Sequence, residues 1–175
     1  MDAMSNGETM LIAYDGSERA DRAMEYAARL LRPDTVEILT AWEPAARQAA
    51  RAVGRTGMHP TIAVPENVED DAAYQEAVGI CRQGIAVAEG LGLAGRAHLV
   101  ESVTTIASAI VDAAHELDVD VIVTGTRALS GFRAWWTSST AEQIVRNSGL
   151  PVFIVPQDSD EDTATDSDAE EPEYF

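Results

Sequence analysis

The sequence contains no lysine, because all 12 of its basic residues are arginine. That removes the phosphate-gripping lysine of a Walker-type loop and any Schiff-base mechanism. There is one cysteine, Cys81, so no disulfide closes within the chain. It falls on an apolar helical pattern and reads as a buried structural thiol rather than a nucleophile. The three histidines, His59, His98 and His115, stand far apart without metal-ligand spacing. No Cys-Cys, His-Glu-x-x-His or Ser-His-Asp arrangement is visible, and no catalytic or metal-binding residue is assigned. No apolar run approaches the roughly 18 residues that cross a membrane. The opening MDAMSNGETM lacks the basic and apolar segments of a secretion signal, so the expected location is the cytoplasm, with no membrane partner.

What is present is negative charge, unevenly placed. The net charge is −18, from 30 acids and 12 bases. Residues 158–173, DSDEDTATDSDAEEPE, hold nine acids and no base; without them 21 acids face 12 bases, a net of −9. Such a field repels phosphate backbones and excludes general binding to nucleic acid. The segment cannot bury enough apolar surface to fold, so 158–175 is expected to be a disordered acidic tail, and 1–7 a disordered start.

Between those ends the periodicity alternates. Thr9–Tyr14, Thr35–Trp42, Arg96–Val100, Val119–Gly125 and Pro151–Val155 are short, apolar and often β-branched, as buried strands are. Between them, Ala20, Ala23, Met24, Ala27, Leu30 and Leu31 recur at helical spacing, as do Ala73, Ala77, Ile80, Cys81, Gly84 and Ala88, and then Ile106, Ala109, Ile110 and Ala113. A last helix is expected to run to about Asn147. Ser17 and either Thr104 or Thr105 suit N-caps, Pro33 ends the first helix, and Gly149 suits a left-handed C-terminal turn. Residues 43–68 read as a long mobile insertion. The order β-α-β-α-β-α-β-α-β predicts an α/β fold, a mostly parallel sheet with helices on both faces and ligands beyond the carboxyl ends of the strands.

Three stretches carry a family resemblance: LIAYDGSERADRAMEYAARL near the start, DVDVIVTGTRALSGFR in the middle and GLPVFIVP near the end. In that order and spacing, over roughly residues 8–157, they resemble a universal stress protein domain. The resemblance implies a Rossmann-like three-layer fold with a five-stranded parallel sheet ordered 3-2-1-4-5. It also implies a homodimer formed through the last strand, here Pro151–Pro156.

Some members of that family bind ATP through a glycine, two residues, a second glycine, nine residues and a third glycine followed by Ser or Thr. On this chain Gly125 takes the first place, Ala128 the second, Ser138 the third and Ser139 the final hydroxyl, so two of three glycines are missing. Glycine serves such loops through positive φ or by letting backbone reach phosphate without an intervening Cβ. Ser138, Ser139 and Thr140 would still offer hydroxyls and N–H groups at a helix start, and Arg127 and Arg133 could add charge-assisted bonds. Asp15 matches an acidic residue beside the nucleotide in relatives, or simply forms the turn with Gly16. Ala41 matches a backbone contact to adenine. Trp135 and Trp136 fit core or dimer packing, with ligand stacking as the alternative.

Arg47, Arg51 and Arg55 recur every four residues and would line one helix face, either solvated or docking an acidic partner such as the tail. Three functions are compatible with these residues. The first is a dimeric, non-catalytic stress-response protein that acts on an unnamed protein partner and has a degraded nucleotide loop. The second is an ATP- or AMP-binding sensor using the retained part of that loop. The third, a nucleotide hydrolase, lacks any visible base and nucleophile pair.

Overall fold

A computed structural model describes residues 8–56, 65–126 and 140–156. Five strands form one parallel sheet: β1 (Thr9–Ala13), β2 (Thr35–Trp42), β3 (Gly95–Glu101), β4 (Val121–Thr126) and β5 (Val152–Pro156). Their spatial order is β3-β2-β1-β4-β5, as the resemblance implies, with every neighbouring pair parallel. Parallel neighbours need crossover connections, and the helices α1 (Glu18–Leu30), α2 (Ala45–Thr56), α3 (Ala72–Gly90), α4 (Ile106–Glu116) and α5 (Thr140–Asn147) lie on those connections.

Alternation along each strand divides the core into two layers. Met10, Ile12, Val36, Ile38 and Val123 face α1 and α3 and pack with Ala20, Ala23, Met24, Ala27 and Ala88. Leu11, Leu39 and Ile122 face the other way and pack with Ile110 and Ala114 of α4 and Ile144 of α5. Met24 is fully buried, a burial that stabilises by about 2 kcal/mol. The helices begin where the sequence suggests. Ser17 caps α1 by accepting from the Ala20 N–H, and Thr105 rather than Thr104 caps α4 in a reciprocal box with Ser108. Gly149, after α5, has φ +65°, a conformation that disfavours any residue with a Cβ.

The stretch 43–68 contains the 12-residue helix α2, on which Arg47, Arg51 and Arg55 fall at their four-residue spacing. Pro44 precedes it and supplies the carbonyl that accepts from the N–H groups of Arg47 and Gln48. A single helical turn at Val68–Asp70 then leads to Asp71. The carboxylate of Asp71, buried in the protein, caps α3 by accepting from the Ala73 N–H at 2.8 Å. It also accepts from the Ala45 N–H at 3.1 and 3.3 Å, so one side chain fixes the starts of both helices. Arg47 donates to the Ser102 carbonyl and to Glu101, and Arg51 donates to the Thr104 carbonyl at 2.9 Å and pairs with Glu43 at 3.2 Å. These two arginines of the proposed stripe are engaged with the chain's own 101–104 segment and with Glu43.

Candidate functional site

Strand order reverses at β1: the chain moves outward to β2 and β3 on one side, and returns to β4 and β5 on the other. Ligands of open α/β sheets bind beyond the carboxyl ends of the strands at such a point. Pairing brings three of the expected site residues to that rim. Asp15 lies just beyond β1, Ala41 near the end of β2, and Gly125 near the end of β4. Thr140 opens α5 and is exposed. Arg127, Ala128, Arg133, Trp135, Trp136, Ser138 and Ser139 lie outside the described residues.

The turn after β1 is closed by its own polar groups. One carboxylate oxygen of Asp15 accepts from the Ser17 N–H at 3.1 Å and from the Ser17 hydroxyl, while Ser17 Oγ accepts from the Ala20 N–H. The other oxygen faces the Arg19 guanidinium at 3.8 Å, with the Asp15 side chain 65% exposed. Gly16 between them has φ +74°, and a Cβ there would meet Ile80 of α3 at 3.2 Å. Both the left-handed backbone and the neighbouring helix call for glycine at this position. Gln83 of α3 donates to the Gly16 carbonyl, holding the turn from the side.

Gly125 has a reason of its own to be glycine. A Cβ at this position would lie 2.7 Å from the carbonyl oxygen of Arg19 and 3.0 Å from its carbon, both in the first turn of α1. The missing side chain is what allows α1 to rest on β4. Close approach of backbone is one of the two uses of glycine in a phosphate loop, but here the approaching group is the chain's own helix.

Behind the rim, Tyr14 is buried and donates its hydroxyl to the Asp21 carboxylate. Burial first, and Asp21 second, push the phenol well above its ordinary value, so it stays protonated. Beside Tyr14 on the same face of the sheet, the hydroxyl of Thr40 is buried without a hydrogen-bond partner among the described residues. Trp42, at the end of β2, is buried edge-on against Tyr74 of α3, with centroids 5.3 Å apart. Between the end of β3 and α4, a hollow of about 200 Å³ is walled by Glu101, Asp112 and Glu116, which repel phosphate.

A charged group that no motif announced lies away from the rim. Glu37 sits inside β2, facing the α4 layer, and is only 1% exposed. Arg96 and His98 stand on the same face of neighbouring β3: Arg96 donates to both carboxylate oxygens and His98 Nε2 lies 2.6 Å from one of them. Burial raises the acid's pKa, but the hydrogen bonds and charges of Arg96 and His98 outweigh it and hold Glu37 below its ordinary value. The available signal was an acid within an apolar strand, followed by two bases spaced i and i+2 on a later strand. Among the described residues no group of His, Cys, Asp and Glu could hold a metal ion, and no helix is long and apolar enough to cross a membrane.

Comparison with known proteins agrees with this geometry. The profile of the universal stress protein family matches residues 7–156. The universal stress protein YxiE of Bacillus subtilis is 25% identical over 151 residues, covering 83% of this chain and 97% of that protein. The fold is shared with a universal stress protein solved in complex with cAMP (24% identity, TM-score 0.60, covering 86% of this chain and 98% of that one). It is shared equally with the universal stress protein of Archaeoglobus fulgidus in complex with dAMP (21% identity, TM-score 0.57, covering 86% and 98%).

Proposed function

We propose, from the premise that the chain belongs to the universal stress protein family, that it acts by binding rather than by turnover, as a dimer. The observation that carries this reading is the turn after β1. The acid nearest the rim, Asp15, holds the Ser17 N–H and hydroxyl, and that same Ser17 oxygen caps α1 by accepting from the Ala20 N–H, so both side chains already serve the turn. A catalytic base needs a free lone pair within hydrogen-bond reach of the proton it removes. Release of ADP from ATP by purified protein, at a rate abolished in Asp15→Asn, would overturn this reading.

A second reading is favoured by the rim itself: the site keeps an adenine nucleotide. Asp15, Ala41 and Gly125 converge there, and solved relatives of the same fold hold cAMP and dAMP. The nucleotide would lie across the ends of β1 and β4, with its base toward the backbone at Ala41 and its phosphates toward Gly125 and the start of α5. Ser138, Ser139, Thr140 and Arg127 would be the phosphate-side groups and Ala128 the close neighbour.

Denaturing purified protein and weighing what is released identifies any resident nucleotide. Titration with ATP–Mg²⁺ or AMP then measures affinity: a ligand at 100 times its Kd stabilises by about 2.7 kcal/mol. For a domain of this size that is a rise in Tm of roughly 5–10 °C. A flat melting temperature to millimolar ligand retires the nucleotide reading.

For the dimer, β5 is the edge that pairs with its copy. Among the described residues it is bonded to β4 only, and Ile154 on it is 40% exposed. An apolar edge of this kind is an aggregation hazard unless covered. Sedimentation as a monomer at micromolar concentration would contradict this.

A further inference from the structure

The opposite edge of the sheet carries a second surface. Among the described residues β3 is bonded only to β2, and it faces α3 across a shallow opening. The result is a groove of about 320 Å³ lined by Val78, Cys81, Arg82 and Ile85 of α3 and by Ala97 and Leu99 of β3. Five of the six lining residues are apolar or a thiol, and the thiol of Cys81 is turned inward to the His98 carbonyl at 3.7 Å. Arg82 is the exception. It is exposed at the lip and makes no ion pair or hydrogen bond among the described residues, whereas Arg19, Arg47, Arg51, Arg96 and Arg146 all face carboxylates. An apolar floor beside one unpaired cation suits an aromatic side chain flanked by carboxylates.

The chain contains such a segment. Residues 170–175 read EEPEYF, three acids beside two adjacent aromatics, in a molecule whose aromatic content is only 6%. The geometry points to docking of Glu170–Phe175 into the α3–β3 groove of its own chain, with the aromatic pair on the apolar floor and a glutamate on Arg82.

Length supports an intramolecular contact. Thirteen residues, 157–169, separate this segment from the end of β5. A random chain of thirteen residues has a root-mean-square span of about 20 Å. The four strand spacings from β5 to β3 amount to about 19 Å. Effective concentration is highest when the mean linker span matches the gap, reaching about the millimolar range for short linkers. A contact too weak to form between separate molecules of so acidic a protein is thereby favoured within one. This inference does not depend on the nucleotide reading.

Cys81 is the only cysteine and lines the groove, so its reactivity toward a thiol reagent reports on access to this wall of α3. Compare the full chain with a chain ending at residue 169, at equal folding stability checked by urea titration. The shortened chain should react at least about tenfold faster, and a synthetic EEPEYF peptide added at millimolar concentration should slow it again. Arg82→Ala in the full chain should move its rate toward that of the shortened one. Equal rates in full and shortened chains overturn the proposal.

Contact is read directly by placing a photo-reactive benzophenone side chain at position 174. Crosslinks within one chain to residues 78–85 or 97–99, unchanged in yield on dilution, support docking. Crosslinks only elsewhere overturn it, as do crosslinks only between two chains, which would assign the segment to a neighbouring copy.

Discussion

The two faces of the sheet are held by different physics. On the face covered by α1 and α3, the helices come close because side chains are missing. A Cβ on Gly84 would lie 2.8 Å from a methyl of Ile38, and one on Gly125 would lie 2.7 Å from the Arg19 carbonyl. On the opposite face the same β2 strand buries a carboxylate, Glu37, bonded to Arg96 and His98. A steric fit is indifferent to pH, and a buried ion pair is not. The glycine that looked most like ligand-binding machinery is required by packing, while the most strongly charged buried group lies away from the rim and carries no motif.

Gly125→Ala tests the steric face most severely. The added Cβ meets backbone of α1, which cannot swing aside as a flexible side chain can. Overpacking a well-fitted core costs about 1–3 kcal/mol, and a backbone clash belongs at the upper end, so a loss of about 3 kcal/mol in urea unfolding is expected. A loss under about 0.5 kcal/mol would mean that α1 yields easily, and would return Gly125 to the service of a ligand.

The charged face should break by acid. Glu37 titrates below its ordinary value of 4.5 in the folded protein, so the unfolded chain takes up its proton first as pH falls. The contribution is fully present above the unfolded value and is lost as pH drops through the lower, folded one. Urea midpoints between pH 7 and pH 3 should fall less steeply in Glu37→Gln than in the parent chain, and identical slopes would remove the carboxylate from the account. At neutral pH, Arg96→Ala leaves the buried acid with His98 alone. Removing a partner from a fully buried pair costs about 3–5 kcal/mol, but Arg96 is 67% exposed and solvent screens it, so about 1–2 kcal/mol is expected.

The contrast between the faces also explains what could be read beforehand. The strands, the helix cap at Ser17, a cap at Thr104 or Thr105 and the left-handed Gly149 depend on local patterns and were legible in the sequence, which left the choice of Thr105 to the structure. α2 was legible only in the four-residue spacing of Arg47, Arg51 and Arg55, because the groups that receive its N–H and its arginines, Asp71, Glu101 and the Ser102 and Thr104 carbonyls, are all distant in sequence. At the rim, Asp15, Ala41 and Gly125 were placed together through the resemblance, but the reason for glycine at 125 was not visible. It rests on Arg19, more than a hundred residues earlier in the chain, and no local window holds both. Glu37 was hidden for the same reason, its partners lying 59 and 61 residues away.

The smallest effect concerns Thr40, a residue that departs from its face. Thr40 belongs to the steric side, yet its hydroxyl is buried next to the rim with no partner among the described residues. An unsatisfied buried hydroxyl is a penalty already present in the folded state, and replacing it with a methyl group of similar shape removes that penalty. Thr40→Val should therefore leave stability unchanged or raise it by up to about 1 kcal/mol. A loss of about 1 kcal/mol would show that the hydroxyl holds a bound water instead. Repeating the nucleotide titration on the same variant separates a third case. If the melting temperature without ligand is unchanged but the rise on adding nucleotide shrinks, the orphaned hydroxyl of the packed face is a contact of the rim, and the division between a purely steric face and a binding site no longer holds at Thr40.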